Sequence, residues 1–188
     1  MRTFIIILLL IVCTPSVHAQ EVQKLVNRKS MCSAVFISRN KLLTANHCII
    51  KIAPRIKIRG KAYKAKILKQ DKKADLALLS IRYRSQSYYQ IGDMPETGTR
   101  VELEGFRFGR RRKTTGTYTT PTNTGYSLIY QPLIAQEKGS SGGAVIYKNK
   151  LIGIISSGSH NCDIASSAQT IKKFLKNLLW RKLNNSKN

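Results

Sequence analysis

Gly139-Ser140-Ser141-Gly142-Gly143-Ala144-Val145 is the stretch on which the reading of this chain turns. A run of small residues leads into an apolar strand. A serine on a tight, glycine-flanked turn can present its hydroxyl to a substrate, while the amides of the turn point to where negative charge would develop. Nucleophilic catalysis needs that geometry. Taken alone, the stretch is equally a Gly/Ser-rich turn between strands, so the rest of the chain has to decide.

Working outward, the segments on both sides read as short strands. Leu128–Ile134 precedes the stretch, and Leu151–Ser157 follows it across a Lys148-Asn149-Lys150 turn. Upstream, Ala34–Ile37 and Lys41–Ala45 flank an Arg39-Asn40 turn. Ile56–Arg59 and Tyr63–Leu68 alternate with period two, and Leu76–Leu79 is a continuous apolar run. Short strands at close spacing with no helical pattern between them predict a sandwich or barrel. Only the end differs. Ser166-Ser167-Ala168-Gln169 has the form of a capping box. Ile171, Phe174, Leu175, Leu178, Leu179 and Leu183 follow helical spacing, with Lys172, Lys173, Lys176 and Arg181 on the other face. Such a basic helix docks on its own domain or, with Trp180 exposed, touches a membrane.

At the other end, Arg2, the apolar run Phe4–Cys13 and Val17-His18-Ala19 read as a secretory signal peptide over residues 1–19. No second apolar run is long enough to span a membrane, so the expected location is secreted or periplasmic. Cleavage leaves Cys32, Cys48 and Cys162. In an oxidising compartment Cys32–Cys48 is a candidate disulfide. Cys162 is left over, as a buried thiol or a partner for another chain. Three cysteines without matching histidine spacing give no zinc pattern, and no metal or organic cofactor is expected.

The chain carries 33 basic and 9 acidic residues, a formal net charge of +24. That charge favours anionic partners: nucleic acid, lipopolysaccharide, an acidic polymer or an acidic protein. Equally, it describes a generally solvated basic surface. Arg107–Lys113, with five basic residues around Phe108 and Gly109, reads as an exposed hairpin loop.

An activated serine needs a base, and the base needs a carboxylate that fixes its tautomer. Only His47 and His160 remain after the leader, and His47 directly follows an apolar strand. Asp75 stands at the mouth of Leu76–Leu79, where it can be partly buried, whereas Asp71 lies in a lysine-rich turn. The order His47, Asp75, Ser141 is that of the chymotrypsin-like plan.

Thr44-Ala45-Asn46-His47-Cys48, Asp75-Leu76-Ala77-Leu78-Leu79 and Gly139-Ser140-Ser141-Gly142-Gly143 resemble the three signature blocks of trypsin-like serine proteases. The Cys32–Cys48 pair is similar to the disulfide that staples the histidine loop of that family. Short gaps between the blocks, and Leu151–Ile155 with the helical tail, resemble a compact bacterial HtrA-like peptidase domain without the PDZ domain.

The resemblance implies an all-β fold of two six-stranded antiparallel β-barrels with a C-terminal α-helix. It places the His and Asp barrel at 20–84, a linker at 85–98, the Ser barrel at 99–168 and the helix at 169–184. It implies a serine endopeptidase acting on protein or peptide substrates. Ser141 is the nucleophile, His47 the base, Asp75 its orienting carboxylate, and the amides of Gly139 and Ser141 the oxyanion hole. By analogy Ala135, Gln136, Ser156 and Gly158 line the first specificity pocket.

Ser140 stands where digestive relatives carry an aspartate, which implies no activation by a newly cut N-terminus. The alternative reading is a catalytically weak or inactive protein of the same fold that binds polyanions through its basic surface. The oligomeric state is not legible.

Overall fold

The apolar run Leu76–Ser80 is buried along almost its whole length because it faces two cores at once. Leu79 packs into the first, with Leu25, Phe36, Leu42, Ala45 and Ile56. Leu76 and Leu78 point the other way, into a second core shared with Val35, Leu43, Ala144, Ile154 and Ile171. Successive side chains of a strand alternate between faces, so a strand wedged between two cores has no polar face.

The computed structural model describes residues 21–27, 30–50, 54–121, 126–130, 139–159 and 162–185. The expected leader falls outside them. In chain order the elements are β1 (Val22–Val26), β2 (Met31–Ser38), β3 (Lys41–Ala45), a single 3-10 turn at Asn46–Cys48, β4 (Arg55–Ile58), β5 (Lys61–Lys64), β6 (Lys66–Asp71) and β7 (Leu76–Ser80). The second half holds β8 (Arg100–Arg107), β9 (Arg110–Pro121), β10 (Tyr126–Tyr130), β11 (Ala144–Tyr147), β12 (Lys150–Ser159), β13 (Cys162–Ser167) and helix α1 (Ala168–Asn185).

The first seven strands form one antiparallel sheet in the order β5-β4-β1-β2-β3-β7-β6. Its two end strands, β5 and β6, are separated in sequence by Ala65 alone, whose N–H donates to Pro54 O at 2.9 Å. They are two arms of one bent strand, and the bend curls the sheet until its ends meet. Counted once, that strand makes the unit six-stranded. The remaining strands close into a six-stranded barrel, β10-β13-β12-β11-β8-β9. Its own core holds Val101, Leu103, Tyr118, Val145, Ile152 and Ile155. The all-β class with two barrel-like units and a C-terminal helix is therefore the observed fold.

Three local readings change. The basic hairpin is a two-residue turn, Phe108-Gly109, rather than a long loop, because Arg110–Lys113 already belong to β9. Register places Glu104 opposite Lys113 and Phe106 opposite Arg111. Arg111 then pairs with buried Glu104, and Lys113 with Glu102, so part of that charge is neutralised. At the start of α1 the cap is Ser167, not Ser166. Ser167 Oγ accepts Thr170 N–H at 3.3 Å, while Ser166 Oγ donates to Ala74 O at 2.7 Å. Ile171 and Phe174 are buried with Lys172, Lys173 and Lys176 exposed, as the helical spacing requires. The side chain of Trp180 lies outside the described residues. Lys69 Nζ donates to Phe174 O at 2.6 Å and lies over its ring, tying the helix to β6. Among the described residues no helix is long and apolar enough to cross a membrane.

Candidate active site

Asp75 closes the turn between β6 and β7 with φ of 48°, a left-handed conformation that Asp tolerates better than most residues. The preceding acid, Asp71, makes the turn possible: its Oδ1 accepts the Ala74 N–H at 2.9 Å. The two aspartates thus separate by role. Asp71 supports the backbone, and Asp75 reaches toward the 3-10 turn that carries His47.

Asp75 grips that turn at three points. Its carbonyl accepts Asn46 N–H at 3.0 Å, and Oδ1 accepts the backbone N–H of His47 at 2.9 Å. Oδ2 lies 2.8 Å from His47 Nδ1. Ser156 Oγ donates to the same Oδ2 from β12, across the boundary between the two sheets. Burial alone would raise the Asp75 pKa. The hydrogen bonds from the His47 ring, from Ser156 and from the His47 amide outweigh it and hold the carboxyl below its usual range. Conversely, the Asp75 hydrogen bond raises His47 above its ordinary value against the opposing effect of burial. An imidazole held this way through Nδ1 keeps Nε2 free to accept a proton.

The serine turn is built by close approach. Ser140 O accepts Gly143 N–H at 2.9 Å, so Ser141 and Gly142 are the central residues of a β-turn. Gly142 has φ of 81°, and a Cβ there would sit 2.1 Å from Ser33 O and 2.3 Å from Thr44 Oγ1. Only glycine satisfies both demands. Gly142 N–H donates to Ile155 O at 2.7 Å.

The other sheet holds the turn through one residue, Ser33 on β2. Its N–H donates to Ser141 O at 2.8 Å, and its Oγ donates to Gly139 O at 2.8 Å while accepting Phe106 N–H at 2.7 Å. Its carbonyl accepts Thr44 Oγ1 at 2.7 Å.

Cys32 and Cys48 form a disulfide with Cα atoms 6.2 Å apart. Cys48 Sγ packs 3.8 Å from Ser141 O, which sets the residue after His47 directly against the serine turn. With both sulfurs bonded to each other, the Cys32, His47 and Cys48 cluster offers no thiolate to a metal.

His47, Asp75, Ser156 and the serine turn are thus gathered at the seam between the sheets. Among the described residues no hydrogen bond joins Ser141 Oγ to His47; such bonds are often loose before substrate binds. Ser156 reaches the site by its hydroxyl on Asp75, a contact the sequence reading did not anticipate. The available signal was a serine following the apolar run Leu151–Ile155, since a buried hydroxyl has to find a partner. Gly158 lies on β12 opposite Asp163. Ala135 and Gln136 fall outside the described residues, as does His160.

Two barrel-like sheets with a His–Asp pair on one and a glycine-framed serine on the other define the chymotrypsin-like class. Residues 32–154 match the family model of the trypsin-like peptidase domain, and the chain belongs to that family. A comparison with curated protein sequences finds no match. Among solved structures, the inactive form of the Rv3671c protease of M. tuberculosis superposes with a TM-score of 0.72 at 18% identity, covering 84% of this chain and 88% of that one. The serine endoprotease of Yersinia pestis gives 0.72 at 21% identity, over 85% of this chain and 63% of that one. The active form of Rv3671c gives 0.71 at 17% identity, over 83% and 79%. At these identities the likeness speaks for the fold.

Proposed function

We propose that this chain is an exported serine endopeptidase that cleaves peptide bonds through Ser141, His47 and Asp75. The observation that carries the reading is Asp75 bonded to both the ring and the backbone N–H of His47, beside a glycine-framed serine. In the proposed reaction Ser141 Oγ attacks the substrate carbonyl as His47 Nε2 takes its proton. Asp75 stabilises the resulting imidazolium, and the amides of Gly139 and Ser141 face the oxyanion. The tetrahedral intermediate collapses to an acyl-enzyme, and His47 returns the proton to the leaving amine. Water, activated by the same His47, then releases the acid. Family membership and the intramolecular disulfide support this reading.

A fluorophosphonate probe tests it. Wild type is expected to label and Ser141→Ala to stay unlabelled. Well-folded wild type that resists the probe would sink the assignment and favour a binding protein on the same fold.

A further inference from the structure

Away from the serine turn, the bend between β5 and β6 opens a groove of about 870 Å³ on the first sheet. We propose that this groove binds a flexible phosphodiester strand, that is, single-stranded nucleic acid. This goes beyond the peptidase reading and does not depend on it.

The segment that bends around the groove is strongly basic, and Lys64 and Lys66 from it line the groove. Nine of the 19 residues 55–73 are Lys or Arg, against one acid, Asp71, and that acid is engaged in its own turn. The groove is lined by Lys64, Lys66 and Arg82, all exposed and without an ion pair among the described residues, and by no carboxylate. Three unpaired cations in one concavity lower their mutual repulsion by taking up anionic groups.

Its shape and walls select the polymer. The groove is concave, with apolar surface from Ile67, 37% exposed, on its wall. Tyr63 lines it, packed against Tyr83 with ring centroids 5.3 Å apart, and Lys61 Nζ lies over its ring at 5.8 Å, where a base would displace it. A cationic track beside an aromatic ring suits a strand whose bases can turn out and stack. A flat bilayer would not reach into the concavity, and a duplex keeps its bases stacked inside. By contrast, the other basic segment, Arg110–Lys113, has Arg111 and Lys113 already paired with glutamates.

Position separates this site from the serine turn. Asp75 precedes β7, whereas Ser80, Ile81 and Arg82 at the groove end or follow it. Five strand residues place the two about 16 Å apart or more, so a bound strand leaves His47 open.

The test is fluorescence anisotropy of the full chain with a labelled 15-nucleotide oligothymidylate across a salt series. Wild type is expected to bind. Lys64→Gln/Lys66→Gln/Arg82→Gln should lower the slope of log K against log salt by about 2, at about 0.7 per phosphate contact. Tyr63→Leu should weaken binding about tenfold at unchanged slope. Arg110→Gln/Arg112→Gln should bind as wild type does. Thermal melts confirm that each variant is folded, independently of any peptidase activity. Equal loss in the two basic variants would overturn the groove as the site. So would an unchanged slope in the triple variant, or preferential binding of a duplex or of phosphatidylglycerol vesicles over the strand.

Discussion

Ser156 and Asp75 meet across the seam of the molecule: a hydroxyl on β12 of the second barrel donates to a carboxylate held by the first sheet. The Asp75 carboxylate is thereby bonded by groups from both halves. Ser156→Ala removes one of its donors and loosens the orientation of His47. kcat/KM is expected to fall about tenfold, the order for a hydrogen bond to a charged group, with labelling by a fluorophosphonate slowed but not abolished. Full activity in this variant would show that the contact is only structural.

In the proposed reaction the raised pKa of His47 sets the acidic limb of the pH profile. The base must be neutral, so kcat/KM should rise with pH to a midpoint above 6.5, the ordinary imidazole value. In Asp75→Asn the raising hydrogen bond and charge are gone and burial remains. Its residual rate, about 10⁴-fold lower, should titrate below the wild-type midpoint. Stability runs the other way. The fold favours protonated His47, so that contribution is full below the unfolded-state pKa and is lost as pH rises through the folded one.

Gly60 and Gly142 share a φ of 81° but not their surroundings. A Cβ on Gly60 meets nothing within 4 Å, and Gly60→Ala should cost about 1 kcal/mol from backbone strain alone. Gly142→Ala adds a clash with Ser33 O and should cost more than about 3 kcal/mol, or fail to fold. Paired chemical denaturation curves check the difference.

How much of this was legible in the sequence follows from where each constraint lies. Asp75 is distinguishable from Asp71 because local context differs: one opens an apolar strand, the other sits among lysines. Gly142 is legible as part of the serine turn, although not what crowds it. Ser156 is legible as a serine at the end of an apolar run, but its partner is 81 residues away in the chain, and no local period encodes a contact between sheets. The Arg111–Glu104 pair was hidden for a related reason. A cluster of arginines reads as a solvated loop until strand register sets a glutamate beside it. The bent β5–β6 strand was read as one alternating run, Tyr63–Leu68, which passes through the bend at Ala65 without marking it.

That pair carries its own prediction. Glu104 is buried, and burial pushes its carboxyl up against the lowering effect of Arg111. Arg111→Met strands the carboxylate and should cost about 2 kcal/mol at neutral pH, below the range for fully buried pairs because Arg111 is 33% exposed. Because Glu104 then binds its proton more tightly in the fold than in the unfolded chain, stability should decline further as pH rises. Glu104→Gln in the same background should recover most of the loss in a denaturant titration.

Reduction of Cys32–Cys48 frees a loop of 16 residues, which corresponds to about 3 kcal/mol in the chain-entropy account. Since Cys48 abuts Ser141 O, the Cys32→Ser/Cys48→Ser variant should lose labelling by the probe at a lower temperature than it loses secondary structure by circular dichroism. Coincident loss would mean that the disulfide acts on the fold as a whole.

The four bonds of Ser33 have a consequence for how the molecule comes into being. The first sheet, which carries Ser33, His47 and Asp75, precedes the serine turn in the chain. The turn that Ser33 holds begins at Gly139, 106 residues further along the chain. Ser33 thus couples the seating of the serine turn to the folding of the first sheet, so neither half assembles the seam without the other.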